Sequence, residues 1–93
     1  MERLNASVER VVSVRLFGSL DQFLRLVNVL RRSRAEIRGM EARFFGREVL
    51  VMMRVEGRLK DIEWTVRKVF NLPEVRKVEL LDDLNALEPP VVG

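Results

Sequence analysis

Two different periodicities follow one another in VERVVSVRLF (Val8–Phe17), Gly18-Ser19 and LDQFLRLVNVLRRSR (Leu20–Arg34), and their order decides the fold. In the first run Val12, Val14 and Leu16 fall on one side. Val11, Ser13, Arg15 and Phe17 fall on the other, the two-residue alternation of a strand. Gly18-Ser19 interrupts it. Ser19 is a residue type that caps helix N-termini, and Asp21 is favourable in a first turn. Leu20, Phe23, Leu24, Val27 and Leu30 then recur at three- and four-residue spacing, which predicts an amphipathic helix over residues 20–34. Arg31, Arg32 and Arg34 crowd its predicted last turn, where cations answer the helix dipole. A grip on phosphate is the other use of such a cluster.

Working outward, the runs Glu36 to Phe45 and Arg47 to Glu56 flank Gly46 and predict a hairpin. The first has an uneven rhythm, Ile37 then Met40, Ala42 and Phe44. A bulge near Arg38-Gly39 restores the phase, because one extra residue flips every later side chain to the other face. In the second run Val49, Val51, Met53 and Val55 share a face, opposite Leu50, Met52 and Arg54. Residues 58–71 read as a second helix with Leu59, Ile62, Val66, Val69 and Phe70 inward and Trp64 outward. Asn71-Leu72-Pro73 stops it. EVRKVELL (Glu74–Leu81) gives a last strand carrying Val75, Val78 and Leu80.

The order is thus β-α-β-β-α-β. Right-handed crossovers fold that order into an α+β ferredoxin-like sandwich, a four-stranded antiparallel sheet with both helices on one face. We expect residues 1–7 to form an N-terminal segment, 8–82 the domain, and 83–93 a flexible C-terminal tail. Since the helices cover only one face, the other should be polar in a solitary molecule. The phases instead put Val11, Leu50 and Met52 there, with Trp64 on the outer side of the second helix. These four residues are the expected interface with a second copy or a larger partner.

Chemistry is scarce. The chain of 93 residues has no Cys, His or Tyr, which excludes disulfides, thiol nucleophiles, histidine bases and Cys/His zinc sites. Asp82 and Asp83 are adjacent, and successive residues of an extended chain point apart. Glu41, Glu48, Glu56 and Glu63 alternate with arginines, a pattern of surface pairing and not of a metal site. Glycines are scattered singly, so no phosphate loop forms. We therefore expect no enzyme, no metal and no cofactor. The net charge is +3, with 14 arginines and 3 lysines, but the signs alternate along the chain. RNA-recognition domains of this strand order stack bases on aromatic residues of the central strands. EVLVMMRVE (Glu48–Glu56) has none and the first strand has only Phe17, which disfavours nucleic acid. No apolar run approaches the length of a membrane helix and the N-terminus lacks a signal-peptide core, so a cytoplasmic location is expected.

VVSVRLFGSLDQFLRLVNVLRR, AEIRGMEARF, REVLVMMRVEG and LPEVRKVELLD together resemble the ACT domain, and more narrowly the small regulatory subunits of acetolactate synthase. The likeness spans residues 8–82. Its most telling parts are the Ile37-x-x-Met40-x-Ala42 rhythm and the L-P-E-V-x-x-V ending at Val78. The resemblance implies a non-catalytic regulatory protein of branched-chain amino-acid biosynthesis. Such a protein would form a homodimer, dock on a large catalytic subunit, or do both, and would hold a small amino acid between subunits. It places the ligand at Gly18, Ser19, Leu20 and Asp21, where a helix start offers N–H groups to a carboxylate, and against a neighbour's second strand, at whose start Glu36 could meet an amine. Leu20-Asp21 stands where members carry Pro-Gly. The alternative functions are a stand-alone small-molecule-sensing module and an RNA-binding domain.

Overall fold

The computed structural model of the protein describes residues 6–81. Strand β1 (Val8–Phe17), helix α1 (Leu20–Leu30), strands β2 (Glu36–Phe45) and β3 (Glu48–Gly57), helix α2 (Leu59–Phe70) and strand β4 (Val75–Leu81) follow in the expected order. The strands make one antiparallel sheet, β2-β3-β1-β4, with both helices on one face. The ferredoxin-like expectation is borne out. The expected tail, 83–93, lies outside the described residues.

The strand phases hold. Val12, Val14 and Leu16 of β1 and Val49, Val51, Met53 and Val55 of β3 turn toward the helices and join Leu26, Leu30, Ile62 and Val69 in the core. Ile37 faces Val55 and Gly39 faces Arg54, so Arg38 is the extra residue of the expected bulge, and Met40 recovers the core-side phase. A second shift was not foreseen. Arg15 faces Lys77 and Leu16 faces Val75, so Arg76 is passed over. That puts Val75, Val78 and Leu80 on one face despite their odd spacing, and frees Arg76 to lie over the Phe17 ring at 5.0 Å.

The helices differ from expectation at their margins. α1 stops at Leu30, not Arg34, and its last turn holds no basic residue. The chain tightens there: Arg32 N–H donates to the Val29 carbonyl and Ser33 N–H to the Leu30 carbonyl. Ser33 then bonds Thr65 of α2 through the two hydroxyls, while its oxygen also accepts the Ala35 N–H at 3.0 Å. Thr65 is buried, and its hydroxyl also lies 2.9 Å from the Asp61 carbonyl. In α2 the inward stripe is Ile62, Thr65 and Val69. Leu59 and Phe70, expected inside, are 42% and 60% exposed because they lie beside that stripe and not on it.

The bare face also differs. Val11 lies on it by register, opposite Arg54 and Leu81, but has no accessible surface. Leu50 and Met52 are half-buried, among the pairs Arg15–Glu48 (4.0 Å), Arg43–Glu41 (3.4 Å) and Lys77–Glu79 (3.6 Å). Trp64 is half-buried on the helix layer and shares no surface with them. The four expected interface residues therefore do not form one patch. Adjacent strands had placed charges among the apolar residues, which single-strand phases do not register.

Leu26 has no exposure, so Leu26→Ala should cost about 2–5 kcal/mol in urea unfolding. Leu59→Ala, at an exposed position of α2, should cost about 0.5 kcal/mol or less.

Candidate functional site

The turn between β1 and α1 is built around Gly18. Its φ is +135°, and a Cβ there would lie 2.4 Å from Gln22 Cγ, so no side chain fits without moving Gln22. Gln22 occupies that space because its Oε1 accepts the Ser19 N–H at 2.8 Å, the return half of a capping box. The Ser-x-x-Gln spacing carries this signal in the sequence.

Two further bonds close the turn. Phe17 N–H donates to the Glu74 carbonyl at 2.8 Å and Gly18 N–H to the Arg47 carbonyl at 2.6 Å. Arg47 belongs to the two-residue β2–β3 turn, where Gly46 has φ +62°. The tip of that hairpin is thereby fastened to the start of α1. Among the described residues, Leu20 and Asp21 keep N–H groups without an acceptor, as helix starts do. The N–H groups of Gly18 and Ser19, expected to meet a ligand, are already taken up. Asp21 is exposed and puts a negative charge beside the free donors.

Glu36 is not part of this group. It opens β2 and faces Glu56, whereas the turn lies beside the Phe45–Glu48 end of the hairpin. The ten residues of β2 separate the two places by roughly 30 Å. Glu36 pairs instead with Arg38 at 3.4 Å. Nearer the turn is Glu74, which the sequence reading did not single out. Its side chain is 9% exposed, and Oε2 lies 3.6 Å from Arg25 Nη1, beyond hydrogen-bond reach. No periodic signal marks it, since its burial depends on where β4 begins against α1.

Beside the turn lies an apolar flank. On α1, Leu20 is 57% and Leu24 50% exposed; on the helix side of β2, Phe44 is 50% and Met40 40% exposed. Phe23 joins the two elements through an edge-to-face contact with Phe44, ring centroids 5.7 Å apart. β2 is an edge strand, so its outer backbone groups and this flank border the same side of the molecule. Among the described residues no group of three or more His, Cys, Asp or Glu is arranged to hold a metal ion. No helix of the described residues is long and apolar enough to cross a membrane.

No protein-family model and no curated protein sequence matches the chain. Solved structures do. The ACT domain of the GTP pyrophosphokinase of Chlorobium tepidum superposes with a TM-score of 0.76, covering 82% of this chain and 100% of that one at 10% identity. The chain has the ACT-domain fold. The solution structure of that same ACT domain gives a TM-score of 0.74 at 12% identity, over 85% of this chain and 91% of that one. A homoserine dehydrogenase from Thiobacillus denitrificans matches with a TM-score of 0.68 at 16% identity, over 84% of this chain and 18% of the enzyme. The likeness extends to ACT domains as a structural class and does not single out acetolactate synthase.

Gly18→Ala should cost about 1–3 kcal/mol, since it combines an unfavourable φ with displacement of Gln22. Amide exchange should quicken at Ser19, whose N–H loses its acceptor. Unchanged stability and protection would remove Gly18 from its role in shaping the turn.

Proposed function

We propose that the chain is a non-catalytic ACT-type regulatory protein that pairs with a second copy along β2 and α1, holds a small amino acid at that junction, and acts on a metabolic enzyme. The observation that carries this reading is the open β2 edge together with Leu20, Leu24, Met40 and Phe44. Covering four half-exposed side chains is worth about 1 kcal/mol each. That only approaches the lower end of the association cost, about 4–15 kcal/mol. Hydrophobic cover alone does not hold such a pair. Backbone hydrogen bonds between two β2 edges supply the remainder and extend the sheet across the junction.

A two-fold axis between antiparallel β2 strands reverses the second strand, so the start of the partner's β2 approaches the Phe45 end of this chain, beside the Gly18–Asp21 turn. Glu36, which faces Glu56 on the bare side of the sheet, stays off the helix-side donors. A ligand carboxylate then meets the Leu20 and Asp21 N–H groups, and its ammonium group meets the Asp21 carboxylate. Valine, leucine and isoleucine are the candidate ligands that the resemblance to acetolactate synthase regulatory subunits supports. The bare face, with half-covered Leu50 and Met52, is left for the larger partner, whose conformational equilibrium the pair would shift through differential contacts.

Light scattering on the eluted protein should give the mass of a dimer. Leu24→Glu with Phe44→Glu should raise its dissociation constant about a hundredfold or more, roughly 3 kcal/mol. Met52→Glu should leave the dimer intact and abolish capture of the catalytic subunit of acetolactate synthase. A wild-type monomer that valine, leucine and isoleucine all fail to pair would sink the reading.

A further inference from the structure

We infer that the concavity between the end of α1 and the outer side of α2 is a binding site for a nucleoside polyphosphate. It has a volume of about 600 Å³ and is lined by Arg32, Arg34, Lys60, Asp61, Trp64 and Arg67. That size suits a small organic ligand. Three arginines and one lysine converge on it from two separate segments. Arg32 and Arg34 come from the tightened link after α1, held against α2 by the Ser33–Thr65 hydroxyl pair. Lys60, Trp64 and Arg67 recur at four- and three-residue spacing along one side of α2.

The gathering of cations distinguishes this place from the rest of the surface. Arg15 is matched with Glu48, Arg25 with Glu74, Arg38 with Glu36 and Glu56, and Arg43 with Glu41, and the other arginines without a carboxylate partner among the described residues, Arg31, Arg47, Arg54 and Arg76, do not line this concavity. Arg32, Arg34, Lys60 and Arg67 have no carboxylate partner among the described residues, and none carries an unprinted one. The single acid of the cleft, Asp61, is turned to Arg58 at 3.3 Å and leaves the four cations unopposed. α1 ends at Leu30, and among the described residues neither Arg32 nor Arg34 bonds one of its terminal carbonyls through its side chain.

Two features select the ligand class. Guanidinium groups present planar forks that match phosphate oxygens two at a time, and three of the four cations are arginines. An indole forms part of the wall, and a base can stack on it. Lys68 Nζ lies over the same ring, 5.5 Å from its centroid. Several phosphates with a flat heterocycle satisfy both features. The cleft lies on the helix layer, apart from the β2 edge, so the inference stands whether or not the chain pairs.

Trp64 is the chain's only tryptophan, and tyrosine is absent, so its fluorescence reports on this cleft directly. ATP or GTP should quench it saturably, more weakly as salt rises. Tripolyphosphate and adenosine should each bind at least about tenfold more weakly than the nucleotide. Arg34→Ala with Arg67→Ala should weaken ATP by about tenfold or more, with circular dichroism and oligomeric state unchanged. In calorimetry, Trp64→Leu should weaken ATP and leave tripolyphosphate unaffected. Absence of saturable quenching overturns the assignment. So does equal affinity for tripolyphosphate, or binding confined to a single-stranded RNA oligomer.

Discussion

Two helices cover the two central strands of this sheet and leave its edges half bare. None of the ten residues of β2 and none of the seven of β4 is buried, while β3 buries Val49, Val51, Met53 and Val55. The helices gather over β3 and β1, where Leu26, Leu30, Ile62 and Val69 complete the core, and the edge strands reach it only through the half-buried Ile37, Ala42, Val75 and Val78. β2 is held by its ladder to β3 and by the Phe23–Phe44 contact. An edge strand left in this condition is a template for further pairing. The exposed apolar surface is thus a consequence of how far the helix layer reaches, and it borders the turn at the start of α1.

Much of this was legible in the residues. The change from a two-residue to a three- and four-residue rhythm at Gly18-Ser19 located β1 and α1, and the misfit of Met40 with Ile37 located the bulge at Arg38. Both are local signals, because side-chain phase belongs to each segment separately. What was not legible depends on neighbours. The end of α1 is set by a hydroxyl on α2, thirty-two residues away along the chain from Ser33. Leu50 and Met52 acquired charged neighbours only once β2, β1 and β4 were in register. Glu36 shared a family resemblance with the turn residues but not an end of the sheet. Sequence alone gives no sign of that separation until strand direction is known.

The fastening of the β1–α1 turn has a mechanical consequence. Gly18 N–H is tied to the β2–β3 tip, Phe17 N–H to the start of β4, and Ser19 N–H to Gln22. The donors that remain, on Leu20 and Asp21, are therefore held on a rigid frame and not on a loose loop. Donors fixed in advance lose little freedom when a ligand arrives. The same closure limits what the turn can bind, since a carboxylate meets only two N–H groups and must tolerate Asp21.

The cationic cleft is explained by the fold only in part. Exposed ion pairs contribute only about 0–1 kcal/mol each, so the paired arginines elsewhere add little to stability but cost nothing in repulsion. Four unopposed cations around one concavity carry that repulsion without any compensating pair. The fold uses them only in part: Arg67 lies in the last turn of α2, where a cation answers the helix dipole, whereas Arg32 and Arg34 lie beyond the last turn of α1 and Lys60 is exposed near the start of α2. The hydroxyl link between Ser33 and Thr65, not the charges, is what joins the two segments. A cluster that opposes compactness and contributes nothing to packing is accounted for by an anion that neutralises it.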